Sequence, residues 1–219
     1  MNSGILYVVS TPIGNLGDIT FRAIEVLKSV DIILCEDTRE TKKILNFYNI
    51  KNNLESFFEG NEIRKITKVI NWLLKKQNIA LVSDSGTPLI SDPGFQLISQ
   101  IREQDQDINI VTIPGVSSPI AALSISGLPT DNFHFVGFFP RKKGRTKKIQ
   151  EISKITSSII IFESPFRINK TIHDLYLAFG NRKIFIAREL TKMYEECIYT
   201  DFENICKELI KLKEKGEYI

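Results

Sequence analysis

Four short stretches of this 219-residue sequence hold most of the side chains that could do chemistry. CEDTRET, 35–41, places Glu36 and Asp37 side by side after an apolar run, with Arg39 two residues on. A carboxylate there can bind ribose hydroxyls or orient a substrate, whereas Asp37 is well placed to cap a helix. VSDSGTPLISDPG, 82–94, carries Asp84 directly after another apolar run, then Gly86 and Thr87, with Pro88 and Pro93 on either side of a second aspartate. A stiff loop with free carboxylates suits a cationic or hydroxylated ligand, because its preorganisation lowers the ordering cost of binding. Ser91 or Asp92 reads as the cap of a following helix that Pro93 helps start. TPIGNLGD, 11–18, opens with Pro12, offers Gly14 and Gly17 for close backbone approach, and ends in Asp18, a candidate N-cap. PGVSSP, 114–119, adds the hydroxyls of Ser117 and Ser118, suited to capping a helix or to hydrogen-bonding an adenine edge. None of the four is G-x-G-x-x-G, which argues against a dinucleotide-dependent oxidoreductase.

The second half of the chain offers a different chemistry. RKKGRTKK, 141–148, holds six basic residues in eight and follows the aromatic run FHFVGFFP, 133–140. Aromatic and cationic groups side by side suit single-stranded RNA, although a charge run is more often a solvated face. ESPFR, 163–167, and ARELTK, 187–192, each pair a glutamate with an arginine at the end of an apolar run. His134 alternates within a strand pattern and His173 sits on an amphipathic helix, and neither has a Cys or Asp beside it for triad or metal chemistry. Cys35, Cys197 and Cys206 form no C-x-x-C, so a zinc site is not expected and buried reduced thiols are.

Loops of this kind need a scaffold, and the hydrophobic pattern supplies one. Apolar runs at 5–10, 31–36, 79–84 and 108–114 alternate with helical periodicity at 19–30, 61–77, 95–104 and 117–126. That alternation predicts an α/β fold with a mainly parallel first sheet covered on both faces. The texture changes at GLPTDN, so the expected domains are 1–128 and 129–219. The second is another α/β unit with strands at 133–140, 157–163 and 183–191, a helix at 166–179 and a mixed sheet. Ligands in open α/β sheets bind beyond the carboxyl ends of the strands, where all four stretches fall. A net charge of +3 means that any surface for nucleic acid must be local. No stretch approaches about 18 consecutive apolar residues and no basic leader precedes the first run, so a soluble cytoplasmic protein without membrane contact is expected.

Taken in order, TPIGNLGDITFRA, CEDTRET, SDSGTPLISDPG, PGVSS, FVGFFPRKKGR, ESPFR and RELTK resemble the bacterial small-subunit ribosomal RNA (cytidine-2′-O)-methyltransferases. These form a branch of the tetrapyrrole methylase superfamily, the class III S-adenosylmethionine-dependent methyltransferases. The resemblance implies the tetrapyrrole methylase fold, with S-adenosylmethionine in the cleft between two α/β domains, and usually a homodimer. It implies methylation of a cytidine ribose in small-subunit ribosomal RNA, with the small ribosomal subunit as partner and no metal. By position it assigns cofactor contacts to Pro12, Asp84, Gly86, Thr87, Ser117, Ser118, Phe162 and Ala187. Glu36 and Glu163 are the candidate proton acceptors. Arg39, Arg141, Lys142, Lys143, Arg145, Arg167 and Arg188 are the candidate RNA contacts. Relatives commonly read SDAGTP and ESPHR where this chain has Ser85 and Phe166. The sequence given ends at KGEYI, where many relatives continue through another strand. A porphyrinoid methylase and a non-catalytic ribosome-assembly factor are the alternatives.

Overall fold

The buried ends of the apolar runs become strands, and their alternation decides which helix layer each residue meets. In the computed structural model, which describes residues 3–104, 107–207 and 212–219, the first unit is built on β1 (Ile5–Val9), β2 (Ile32–Cys35), β3 (Leu54–Ser56), β4 (Ile79–Leu81) and β5 (Asn109–Ile113). All pairings are parallel and the order is β3-β2-β4-β1-β5. Parallel neighbours need crossovers, and α1 (Phe21–Ser29), α2 (Thr38–Phe47), α3 (Glu62–Leu74) and α4 (Phe95–Glu103) lie within them. Leu6, Leu34, Ile79 and Leu81 pack with Ile66, Val69, Leu73, Leu97 and Ile101 of α3 and α4. Val9, Ile33, Cys35 and Ala80 turn to the opposite face and pack with Ala23, Leu27 and Leu45 of α1 and α2. The period-2 alternation thus serves two apolar layers, which is why these strands read as continuous apolar runs.

The second unit holds α5 (Ser118–Ile125), β6 (Phe133–Phe138), α6 (Arg145–Ile152), β7 (Ser158–Phe162), α7 (Ile168–Phe179), β8 (Lys183–Arg188), β9 (Glu196–Asp201) and α8 (Phe202–Lys207). The expected mixed sheet is present as two ribbons, β6-β7 parallel and β8-β9 antiparallel. Residues 217–219 reach both: Tyr218 bridges Glu163 and Arg188, antiparallel to each.

The compact units are residues 1–117 and 118–219. The boundary lies ahead of the expected turn at 128 because α5 packs on β7 through a face that includes buried Ala122 and Leu123. Five elements had no expectation, among them the short α8. β3 is three residues long and β9 is a half-exposed ribbon edge. α2 and α6 have mostly charged or polar sequences that bury only a few side chains each. The thiols differ from expectation: Cys35 is buried, Cys206 half-buried and Cys197 exposed. Among the described residues no helix is long and apolar enough to cross a membrane.

Candidate active site

The connections after β1 and β4 leave the sheet in opposite directions, since β1 leads to β2 on one side and β4 leads to β5 on the other. This reversal is where open α/β sheets hold ligands. Here the two loops are stitched together. Thr11 N donates to Gly86 O at 2.8 Å and Gly86 N to Thr11 O at 3.1 Å. Thr11 Oγ1 also donates to Ser83 O at 3.2 Å. Gly86 sits at φ 81°, and a Cβ there would stand 3.3 Å from Ile13 Cγ2, so both conformation and space call for glycine. The loop after β5 joins the set: Thr87 Oγ1 donates to Val116 O at 2.9 Å and lies 2.9 Å from Ser10 Oγ. Gly115 completes the joint, because a Cβ there would meet Ser10 Cβ at 2.9 Å. Leu89 and Ser91 adopt left-handed φ values of 73° and 70°. Strained backbone of this kind persists only where its surroundings hold it.

The loop after β2 enters through one bond, from Asp37 N to Asp84 Oδ1 at 2.9 Å. Three carboxylates at the ends of β2 and β4 then influence one another. Burial pushes Glu36 above the usual glutamate range, and the charges of Asp84, Asp37 and Glu59 push it further. Burial likewise raises Asp84 against the lowering effect of the Asp37 N–H. Asp92 is pushed up to about 6, chiefly by burial, with Glu36 and Asp84 adding to the shift. Each group is thus half-desolvated in a field that favours a proton or another cation. Among the described residues no His, Cys, Asp or Glu cluster could hold a metal ion.

Two local expectations change here. Asp18 does not cap α1: it lies in a 3₁₀ turn, and Thr20 Oγ1 accepts from Ala23 N instead. Neither Ser91 nor Asp92 caps α4. Gly94 stands at the N-cap, and buried Glu62 of α3 accepts from Gln96 N and Leu97 N at 3.1 and 3.4 Å. Asp92 is thereby left to the carboxylate group, a role its place beside a proline had concealed. Asp37 does cap α2, accepting from Arg39 N at 2.8 Å.

Of the residues assigned to cofactor on the first unit, Pro12, Asp84, Gly86 and Thr87 come together, and Ser117 lies on the chain after Val116. The Thr87 hydroxyl already serves the joint between loops. On the second unit, Ser118 opens α5. Phe162 ends β7 against Phe135 and Phe138, with ring centroids 5.1 and 5.3 Å away. Ala187 is buried, and its N–H, the donor a ligand would use, is bonded to Ile219 O at 2.9 Å.

The glutamate–arginine pairs of the second unit are architectural, which corrects several expectations. Glu163 is 3% exposed. Its Oε1 accepts from Ser164 N and from Arg167 Nε and Nη2, and its Oε2 accepts from Thr171 Oγ1. A carboxylate held this way is not free to take a proton from a substrate. Arg145 is buried against Phe139, pairs with Asp174 at 3.1 Å and Glu163 at 3.5 Å, and donates to Thr171 Oγ1. Arg188, also buried, pairs with Glu196 at 2.8 Å. Arg145, Arg167 and Arg188 are thus each engaged in contacts within the second unit. Arg39 is exposed and grips Asp37 with two nitrogens. Arg141, Lys142 and Lys143 are exposed, as are Phe138 and Phe166.

The sequence pattern of the tetrapyrrole (corrin/porphyrin) methylases matches residues 5–206 of this chain. The chain belongs to that family. It is 45% identical over 219 residues to the ribosomal RNA small subunit methyltransferase I of Halalkalibacterium halodurans, covering 99% of this chain and 75% of the relative. The protein of the same name from Thermotoga maritima is 41% identical, with 98% and 96% covered. Among solved structures, the fold resembles uroporphyrin-III C-methyl transferase from Thermus thermophilus complexed with S-adenyl homocysteine. The TM-score is 0.64 at 14% identity, with 98% of this chain and 96% of that one covered.

Proposed function

We propose that this protein transfers a methyl group from S-adenosylmethionine to the ribose 2′-hydroxyl of a cytidine in small-subunit ribosomal RNA. The observation that carries this reading is the 41–45% identity, over nearly the whole chain, to proteins named as ribosomal RNA small subunit methyltransferases. The first unit suits the cofactor chemically. Asp84, Glu36 and Asp92 favour a cation and would repel a phosphate, which fits a ligand with a sulfonium and an ammonium group and no phosphate. When bound, S-adenosylmethionine supplies an electrophilic methyl carbon.

Asp84, fixed by the Asp37 N–H, would orient the cofactor, with Pro12, Gly86 and Ser117 lining its place on this unit. Glu36 is the remaining candidate proton acceptor, because Glu163 is fully engaged. Its raised proton affinity suits a carboxylate oxygen receiving the 2′-hydroxyl proton, and the rigid framework would hold acceptor and nucleophile in line. Arg141, Lys142 and Lys143 carry the electrostatic part of RNA binding, with exposed Phe138 available for stacking. A cytoplasmic homodimer belongs to the same proposal, and light scattering at twice the chain mass is its expected result.

The deciding experiment incubates the protein with methyl-labelled cofactor and, separately, small ribosomal subunits, deproteinised small-subunit RNA and a uroporphyrinoid. Label in the RNA, released as a 2′-O-methylcytidine, is the expected outcome. Label in the porphyrinoid alone would replace this reading with tetrapyrrole methylation. Cofactor and subunit binding without any transfer would indicate an assembly factor.

A further inference from the structure

Strands β6 and β7 run parallel as neighbours, with Phe138 in register with Phe162, so both end at one edge of the second unit. Two loops leave that edge. The first, 139–144, carries the exposed side chains of Arg141, Lys142 and Lys143. The second, 163–167, has Phe166 as its one exposed residue. Phe166 is 77% exposed, and Phe138 at the end of β6 is 60% exposed. Single apolar side chains on a surface are ordinary, but two bare rings at adjacent strand ends beside three cations make a patch with its own chemistry.

Neither ring stands on loose chain. Phe138 packs against Phe162 at a centroid distance of 5.3 Å. Phe166 lies in a turn closed by Arg167 N and Ile168 N, which donate to Ser164 O at 2.9 and 3.1 Å. Ser164 N and Arg167 Nε, on either side of it, donate to Glu163 Oε1 at 2.7 and 2.8 Å. Buried Arg145, the first residue of α6, pairs with the same Glu163 at 3.5 Å and so ties the two loops together. The ion cluster beneath the edge therefore holds the Phe166 turn beside the basic loop. Both α6 and α7 start here, and neither has a side-chain cap at its N-terminus, so their first-turn N–H groups add to the positive field of the cations.

From this arrangement we infer that Phe166 is a base-stacking residue, and that Phe138 and Phe166 together take two unpaired nucleotides of the RNA whose phosphates the cations of 141–143 hold. The inference rests on the RNA substrate proposed above and adds a requirement to it. A ring meets a base face only where that base has left its helix, since an A-form duplex offers phosphates and a shallow minor groove instead. Cations alone would bind either form through its phosphates. The two rings thus convert a general phosphate surface into one that selects single strands. They do so with little preference among bases, because every base has a π-face. Rings already fixed on a rigid turn lose little freedom on stacking.

The test uses the full chain without cofactor, a short labelled oligocytidylate, a short RNA duplex and an oligoglutamate of matching charge. Fluorescence anisotropy at low salt should show the wild type preferring the single strand. Phe166→Ala should weaken that binding by about tenfold, as expected for one stacked base, and leave duplex binding unchanged. Phe166→Leu, which keeps apolar bulk without a π-face, should weaken it nearly as much, and Phe166→Trp should restore it. Equal losses for duplex and single strand, or full affinity in Phe166→Leu, would overturn the inference. So would a wild type that does not bind the oligocytidylate. Oligoglutamate binding with the same dependence on Phe166 would replace RNA with an acidic polypeptide. No arm measures methyl transfer. A chain that binds RNA in this way and methylates nothing would fail the proposed function and keep the inference, and RNA methylation with unchanged binding in Phe166→Ala would do the reverse.

Discussion

Glu62 on α3 accepts hydrogen bonds from the backbone N–H groups of Gln96 and Leu97, and so caps α4 from a different helix. The cap fixes where α4 begins, and with it the end of the loop that carries Asp84 and Asp92. Glu62→Ala removes the acceptor and should lower stability by about 1–2 kcal/mol. Chemical denaturation would show a lowered midpoint, and an unchanged midpoint would mean that the cap adds nothing.

Asp84 contributes both an acceptor and a charge, and two substitutions separate them. Asp84→Asn keeps an oxygen for the Asp37 N–H, and Asp84→Ala removes it. Both should weaken S-adenosylmethionine binding by more than about tenfold in calorimetry, because the charge is lost in each. Wild-type affinity in the Asn variant would remove the charge from the cofactor argument.

Glu36→Gln should lower kcat by about 10² to 10⁴, well beyond any loss of cofactor affinity that follows from removing its charge. Since burial and Asp84 raise the proton affinity of Glu36, activity of the wild type should fall on the acid side at a pH above the usual glutamate range. That limb should be absent from the residual activity of the variant.

Asp92 gives a stability prediction whose sign is fixed by its raised proton affinity. Its carboxyl titrates near 6 in the fold and near 3.9 when unfolded, so between these values the folded state binds more protons. Stability contributed by protonated Asp92 is therefore full below about pH 4 and lost as pH rises through about 6. Asp92→Asn should raise Tm at pH 8 and leave it little changed at pH 4. Equal shifts at both pH values would exclude titration as the cause.

Neutralising Arg141, Lys142 and Lys143 together should weaken small-subunit binding and flatten its salt dependence by about 0.7 for each phosphate no longer neutralised, with cofactor affinity and Tm retained. Arg145→Ala should behave differently. It strips a buried partner from Glu163 and Asp174, and should destabilise the fold by about 3 kcal/mol or more. Matching phenotypes would mean that the whole run acts as one surface.

β1, β2, β4 and β5 were legible because each lies in a mainly apolar run, whereas β3, short and only half-buried, was not. The loops were legible because glycine, proline and aspartate cluster at the ends of those runs. What escaped was long-range pairing. Nothing near Arg145 in sequence shows that Asp174 and Glu163 hold it, so it read as one more charge in RKKGRTKK. Asp92 read as a cap because the acceptor that replaces it, Glu62, lies on another helix. α2 and α6 were missed because charged residues dominate them, and only isolated side chains such as Ile149 and Ile152 fasten α6 to its core.

The strand order of the first unit also bears on its biosynthesis. β1 is translated first, yet its hydrogen-bonded neighbours are β4 and β5, whose residues follow some seventy to a hundred positions later. Until Leu81 has left the ribosome, β1 has neither of its partner strands, and its second edge stays open until Ile113 follows. The apolar run Ile5–Val9 must wait unpaired through most of that synthesis, where chaperones that shield nascent apolar segments would find it.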